Sequence, residues 1–180
     1  MNRLLIVVDY QNDFVDGSLG FPGAEKLAGP IAARIREYRA NGDDVVFTLD
    51  THGPNYLNTQ EGRRLPVSHC IRDTDGWKLY GAVAEAARDE DVSFCKPTFP
   101  SLELGQWLEG RGYSQVELCG LVSNICVLSN AVIAKAALPE AEIIVDANLT
   151  ASGDPILHEK ALDVLEGIQV TVRNRKERSR

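Results

Sequence analysis

Apolar runs in this chain repeatedly stop on a side chain that carries chemistry. Leu4 to Val8 ends on Asp9, Val45 to Leu49 on Asp50, Val92 to Cys95 on Lys96 and Ile143 to Val145 on Asp146, and Cys126 lies just past the run Val116 to Gly120. Short apolar runs of this kind, bounded by turn signals, read as buried strands. In an open parallel sheet the carboxyl ends of the strands share one edge, and ligands bind there. The pattern predicts that these five groups, scattered over most of the chain, meet in one cleft. A thiol, an ammonium group and carboxylates together point to nucleophilic catalysis.

Strand and helix patterns alternate along the chain. The strands are expected over residues 3–8, 44–49, 91–95, 115–119, 142–145 and 168–172. Helical spacing or composition marks 24–40, 77–88, 102–109, 123–137 and 155–166, the last with Pro155 at its first turn. Six strands with intervening helices predict the α/β class: a doubly wound six-stranded parallel sheet with helices on both faces, a Rossmann-like three-layer arrangement. With 180 residues and 44% hydrophobic content, residues 1–172 are read as a single domain. The basic residues gathered over 173–180 are read as a flexible tail. Residues 50–76 form a loop-rich stretch too long for a simple connection, and it carries two of the three histidines, so it is read as functional.

A formal net charge of -7 argues against nucleic-acid binding, which calls for a basic face. The first apolar run is too short for a secretory leader, and no stretch approaches a membrane span. A cytoplasmic protein without membrane contact is expected. Four cysteines do not suggest a disulfide framework here, and Cys95 and Cys119 read as packing residues inside strands.

Ser123 or Asn124 is placed to cap the helix that carries Cys126, which puts the thiol in its first turn. Positive potential there, with Lys96 nearby, is expected to lower the thiol pKa. Asp9 is placed to accept the thiol proton, and the amides near Val122 and Cys126 to hold an oxyanion. The competing reading of Cys126 is a small apolar residue in a buried helix. Asp50-Thr51-His52, His69 and Glu61 between the histidines offer a mixed nitrogen and oxygen set suited to zinc, manganese or iron(II). Cys70 is a further soft candidate, ranked below Glu61. His158 is given no role.

The segments Asp9-Tyr10-Gln11-Asn12-Asp13-Phe14, Asp50-Thr51-His52, His69-Cys70, Lys96-Pro97 and Gly120 to Val127 resemble, in order, those of the isochorismatase-like cysteine hydrolases, nearest to their nicotinamidase branch. The resemblance spans nearly the whole chain. It implies an isochorismatase-like fold, an Asp-Lys-Cys triad at Asp9, Lys96 and Cys126, and metal ligands at Asp50, His52 and His69, with Glu61 as an added ligand in some members. It also implies a cis peptide near Leu121-Val122, Gln11 close to the metal, and Phe14 packed on a substrate ring. Gln11, Phe14 and Leu121 are therefore taken as substrate-binding residues. The implied cofactor is a divalent ion, zinc in first place. The implied partners are a small amide substrate and further copies of the chain, as a homodimer or homotetramer.

The implied activity is hydrolysis of nicotinamide to nicotinate and ammonia through a thioester. Two departures bear on substrate. The stretch Leu65-Pro66-Val67-Ser68 lacks an aromatic, and Ile125 precedes the nucleophile; both are expected to thin the stacking wall for a flat ring. Amide hydrolysis of a ureido or carbamoyl compound, isochorismatase-type vinyl-ether hydrolysis and a non-catalytic binding domain are the alternatives. The absence of a Gly-rich phosphate loop after the first strand weighs against the last.

Overall fold

The structure is a computed structural model that describes residues 2–176. Six strands form one sheet: β1 (Arg3–Val8), β2 (Asp44–Asp50), β3 (Val92–Lys96), β4 (Gln115–Leu121), β5 (Glu142–Ala151) and β6 (Thr171–Arg173). Their order is β3-β2-β1-β4-β5-β6, and every pairing is parallel. The chain runs outward from β1 in one direction and then, from β4, in the other. The switch point lies between β1 and β4, where an open sheet of this kind forms a crevice.

Among the described residues seven α-helices accompany the sheet: α1 (Asn12–Val15), α2 (Ala28–Ala40), α3 (Gln60–Arg64), α4 (Gly81–Ala86), α5 (Leu102–Leu108), α6 (Leu128–Ala137) and α7 (Pro155–Gly167). Alternation along β1 divides the core. Leu4, Ile6 and Val8 face α5, α6 and α7, against Leu104, Ala131 and Leu162. Leu5 and Val7 face α2 and α4, against Ile31, Ile35 and Val83. Both faces of β1 are therefore apolar, as a strand covered by helices on each side requires. Each fully buried Leu or Ile contributes about 1.5–3 kcal/mol.

Several boundaries differ from those expected. Residues 24–27 form a separate 3-10 turn ahead of α2. The helix expected over 77–88 shrinks to α4, and Trp77 falls in a preceding 3-10 turn. The functional loop is braced by a 3-10 turn at Tyr56–Asn58 and by α3, which Thr59 caps by accepting from the Gly62 amide at 3.0 Å. Cys119 is buried, whereas Cys95 is only partly so.

Asp146 does not reach the cleft. β5 runs on to Ala151 through a register shift opposite Leu118 to Gly120, because Leu149 returns the chain to the core. The Asp146 side chain meets Arg34 at 3.1 Å and Asn174 at 2.8 Å. Arg34 also pairs with Glu117, whose carboxylate accepts from the Tyr38 hydroxyl at 2.8 Å. Asp146 thus belongs to a buried polar network on the α2 face. The basic tail expected from residue 173 is tied down over its first residues. Arg173 closes β6, and Arg175 binds carboxylates of Glu159, Asp163 and Glu166 on α7. The remainder, residues 177–180, lies outside the described residues. Among the described residues no helix is long and apolar enough to cross a membrane.

Candidate active site

The carboxyl ends of β1, β2, β3 and the turn after β4 converge. Asp9 follows β1 with φ 46°, a left-handed conformation that Asp tolerates better than most residues. Its amide donates to the Thr48 carbonyl at 3.1 Å, and the Thr48 hydroxyl donates to Asp9 Oδ1 at 2.6 Å. Lys96 ends β3 directly opposite Asp50 of β2. Its ammonium lies 2.6 Å from Asp9 Oδ2, 3.2 Å from Asp50 Oδ1 and 3.5 Å from Cys126 Sγ, and it donates to the Thr98 carbonyl at 3.1 Å. Lys96 is 1% exposed and Asp9 0%, so this is a charge cluster without bulk water.

Gly120 makes the approach to Cys126 possible. Its φ is +110°, and a Cβ there would collide with the Val8 carbonyl of the neighbouring strand. The Leu121-Val122 peptide is cis. Ser123–Val127 then forms a π turn, with the Val127 amide reaching back to the Val122 carbonyl at 3.2 Å, and α6 begins only at Leu128. Cys126 is therefore in a π turn rather than in the first turn of an α-helix.

The expected lowering of the Cys126 pKa does not occur. Burial pushes the thiol well above its ordinary value, Asp9 adds to this through repulsion and a hydrogen bond, and the opposing pull of Lys96 is the smaller effect. Burial also raises Asp9, against the attraction of Lys96. Burial alone would lower Lys96, yet attraction to Asp9, Cys126 and Asp50 outweighs it and holds the ammonium charged. The thiol, held protonated by burial, thus faces Asp9 beside the Lys96 cation.

The second group lies next to the first. Ligand atoms of Asp50, His52 and His69 all fall within 4.8 Å of one another. His52 Nε2 and His69 Nε2 are 3.0 and 3.3 Å from Asp50 Oδ2. Glu61 Oε1 is 3.8 and 3.9 Å from the same two nitrogens, at the edge of the group. His69 Nδ1 donates to the Val67 carbonyl at 2.8 Å, which turns Nε2 toward the carboxylates, to carry a proton there or, once that proton is lost, to offer its lone pair to an ion. Two imidazoles and a carboxylate, with one imidazole's tautomer fixed, fit a catalytic transition-metal ion. Burial would raise the Asp50 pKa, but hydrogen bonds from both histidines and attraction to Lys96 hold it well below the carboxylate range. Tyr56 packs on both imidazoles, with ring centroids 4.6 and 4.8 Å away.

Gln11 does not reach substrate space. Its Nε2 donates to the carbonyls of Asp50 and Trp77 at 2.9 and 2.8 Å, and its Oε1 accepts from the Asp50 amide at 2.8 Å. Both ends are spent on fixing the backbone of Asp50. Leu121 is likewise buried in the core on the α2 face and contributes backbone only. Cys70 also lies in that core, so its sulfur does not join the ligand group.

Above Cys126 opens a largely apolar cavity of about 260 Å³, bounded by Asp50, Glu61 and His69 on one side and Val122 and Cys126 on another. Phe14 lines it, and so do Phe21 and Phe99, which the sequence reading did not select. The ring wall expected to be thin is therefore supplied from other loops. Thr48, a polar residue in the apolar run of β2, was a visible signal that was passed over. Phe21 and Phe99 gave none, since their approach depends on loop conformation.

The fold and this site define a class: a hydrolase of the doubly wound α/β type whose thiol, ammonium and carboxylate meet at the switch point of a parallel sheet. A family model described as the isochorismatase domain matches residues 3–177, and the chain belongs to the isochorismatase family. A relative named as an uncharacterized isochorismatase family protein PncA, from Bacillus subtilis, is 34% identical over 144 residues, covering 73% of this chain and 78% of that protein. The crystal structure of the nicotinamidase/pyrazinamidase PncA from Bacillus subtilis superposes with a TM-score of 0.84 at 30% identity, covering 97% of this chain and 100% of the other. A pyrazinamidase from Pyrococcus horikoshii, solved in complex with zinc, gives a TM-score of 0.82 at 25% identity over 96% and 98% of the two chains.

Proposed function

We propose that the protein hydrolyses nicotinamide to nicotinate and ammonia through a thioester on Cys126. One observation carries this reading: the buried Lys96 ammonium contacts both Asp9 and Cys126, and Cys126 lines a cavity that three phenylalanines also line. The named activities of the similar PncA and pyrazinamidase structures support the substrate.

Asp9 takes the thiol proton as sulfur attacks the amide carbonyl. Amides of Val122 and Cys126 hold the oxyanion, an effect of about 3–4 kcal/mol per donor. Asp9 returns the proton to nitrogen as the C–N bond breaks and ammonia leaves. It then draws a proton from the water that attacks the thioester, and Cys126 is released. Lys96 stays charged throughout and offsets the negative charge as it moves between sulfur and carboxylate. Asp50, His52 and His69, joined by Glu61, would hold a divalent ion, zinc first and manganese or iron(II) next, whose Lewis acidity would bind a ring nitrogen or acidify a bound water. Gln11 orients Asp50, while Phe14, Phe21 and Phe99 hold the flat ring.

The ureido or carbamoyl reading rested on a thinned ring wall, which the phenylalanines replace. The proposal includes a cytoplasmic location and a homodimer or homotetramer. Ammonia release from nicotinamide, pyrazinamide and a carbamoyl amino acid, compared with pyruvate release from isochorismate, tests it. Turnover of nicotinamide or pyrazinamide well above the other two is expected. Preference for the carbamoyl compound or for isochorismate overturns the substrate assignment.

A further inference from the structure

His158 lies in the first turn of α7, and its Nδ1 is 2.9 Å from the hydroxyl of Ser123. Ser123 is fully buried and opens the π turn that carries Cys126. A hydroxyl closed off from water needs a partner within the protein, and His158 provides one. The two ends of this bond lie just behind two separate stretches of the cavity lining. Val122 and Cys126, on either side of Ser123, form one wall, and Ser152 and Gly153, just ahead of α7, form another.

The second wall is firmly joined to His158. Asp154 caps α7 by accepting from the amides of Ile156 and Leu157 at 2.8 and 3.1 Å. A Cβ at Gly153 would lie 3.3 Å from Phe21, so the loop already packs tightly on the ring wall. A shift of α7 therefore moves Ser152 and Gly153 with it.

We propose that the His158–Ser123 hydrogen bond is a latch across the back of the cavity that sets the spacing between the nucleophile turn and the β5-to-α7 wall. His158 is then a positioning residue, acting on Cys126 through Ser123.

The latch rests on the cysteine chemistry proposed above, so its test uses two readouts. One is kcat/KM for nicotinamide. The other is the rate at which iodoacetamide, itself a small amide, alkylates Cys126, followed by peptide mass spectrometry. His158→Ala and Ser123→Ala are each expected to lower both readouts about fivefold to tenfold, the effect of one lost hydrogen bond and a displaced nucleophile. The double variant should lose no more than either single one. His158→Asn keeps a polar atom near the Nδ1 position and should restore wild-type values, whereas His158→Gln reaches toward the Nε2 position and should not. This pair carries the test if His158→Ala fails to fold. Additive losses, equal behaviour of the Asn and Gln variants, or unchanged alkylation in His158→Ala would overturn the latch. Wild-type protein that leaves nicotinamide intact, yet shows the expected alkylation pattern, would overturn the substrate assignment and uphold the latch.

Discussion

Lys96 places its ammonium 2.6 Å from Asp9 Oδ2 with both side chains sealed from solvent, so neither charge is tolerable without the other. Removing one partner of such a pair costs about 3–5 kcal/mol. Lys96→Met should lose stability of that order at neutral pH, measured by chemical denaturation, and should lose ammonia release entirely. The pH dependence follows from Asp9, whose folded pKa burial already raises. A raised carboxylate contributes stability that is present below its unfolded pKa and is lost as pH rises through the folded value. Without Lys96 the folded pKa rises further, so the variant's deficit should shrink in acid and grow toward neutral pH.

Metal uptake should depend on pH through His69. Burial lowers its pKa, but Asp50, the Val67 carbonyl and Glu61 together raise it above its ordinary value. A proton therefore competes for Nε2. Affinity should fall as pH drops through that raised pKa, and binding should release a proton, as calorimetry in buffers of different ionisation enthalpy would show. The metal-free protein should show the opposite trend. Its His69 contribution to stability is full below the unfolded pKa and is lost as pH rises past the folded one.

Gln11 touches no ligand atom, yet its carboxamide holds Asp50 through both the amide and the carbonyl. Gln11→Ala should weaken zinc binding by about 10–100-fold, the range for groups that orient ligands. His69→Ala should weaken it far more, and Glu61→Ala far less, because Glu61 Oε1 stands 3.8 Å or more from both imidazoles. Equilibrium dialysis with metal analysis ranks the three.

Glu117 is 2% exposed, and burial raises its pKa against the pull of Arg34. Its contribution is thus lost as pH rises. Glu117→Gln should flatten the loss of stability between acid and neutral pH, measured as the thermal midpoint across that range.

Much of the fold was readable because a strand buried on both faces must be apolar and must stop where chemistry begins. That rule located Asp9, Asp50 and Lys96 on one sheet edge. It failed for Asp146, since a strand with a register shift resumes after an apparent stop, and Leu149 was the overlooked sign. The π turn at Cys126 was not legible, because a single widened turn of five residues is too short to show a change of period. The thiol pKa was misjudged for a related reason. A local rule about helix ends was applied where burial and Asp9, both tertiary, dominate. Phe21, Phe99 and the His158 contact depend on where loops and α7 come to rest.

The proposed hydrolysis stands or falls on a bond between the Cys126 sulfur and the acyl carbon. Mass spectrometry of protein quenched during turnover of nicotinamide tests it most directly. A nicotinoyl group is expected on the peptide containing Cys126, absent from Cys126→Ala, which should remain folded and release no ammonia. Ammonia release by Cys126→Ala at the wild-type rate, with no acylated peptide in either protein, would contradict it.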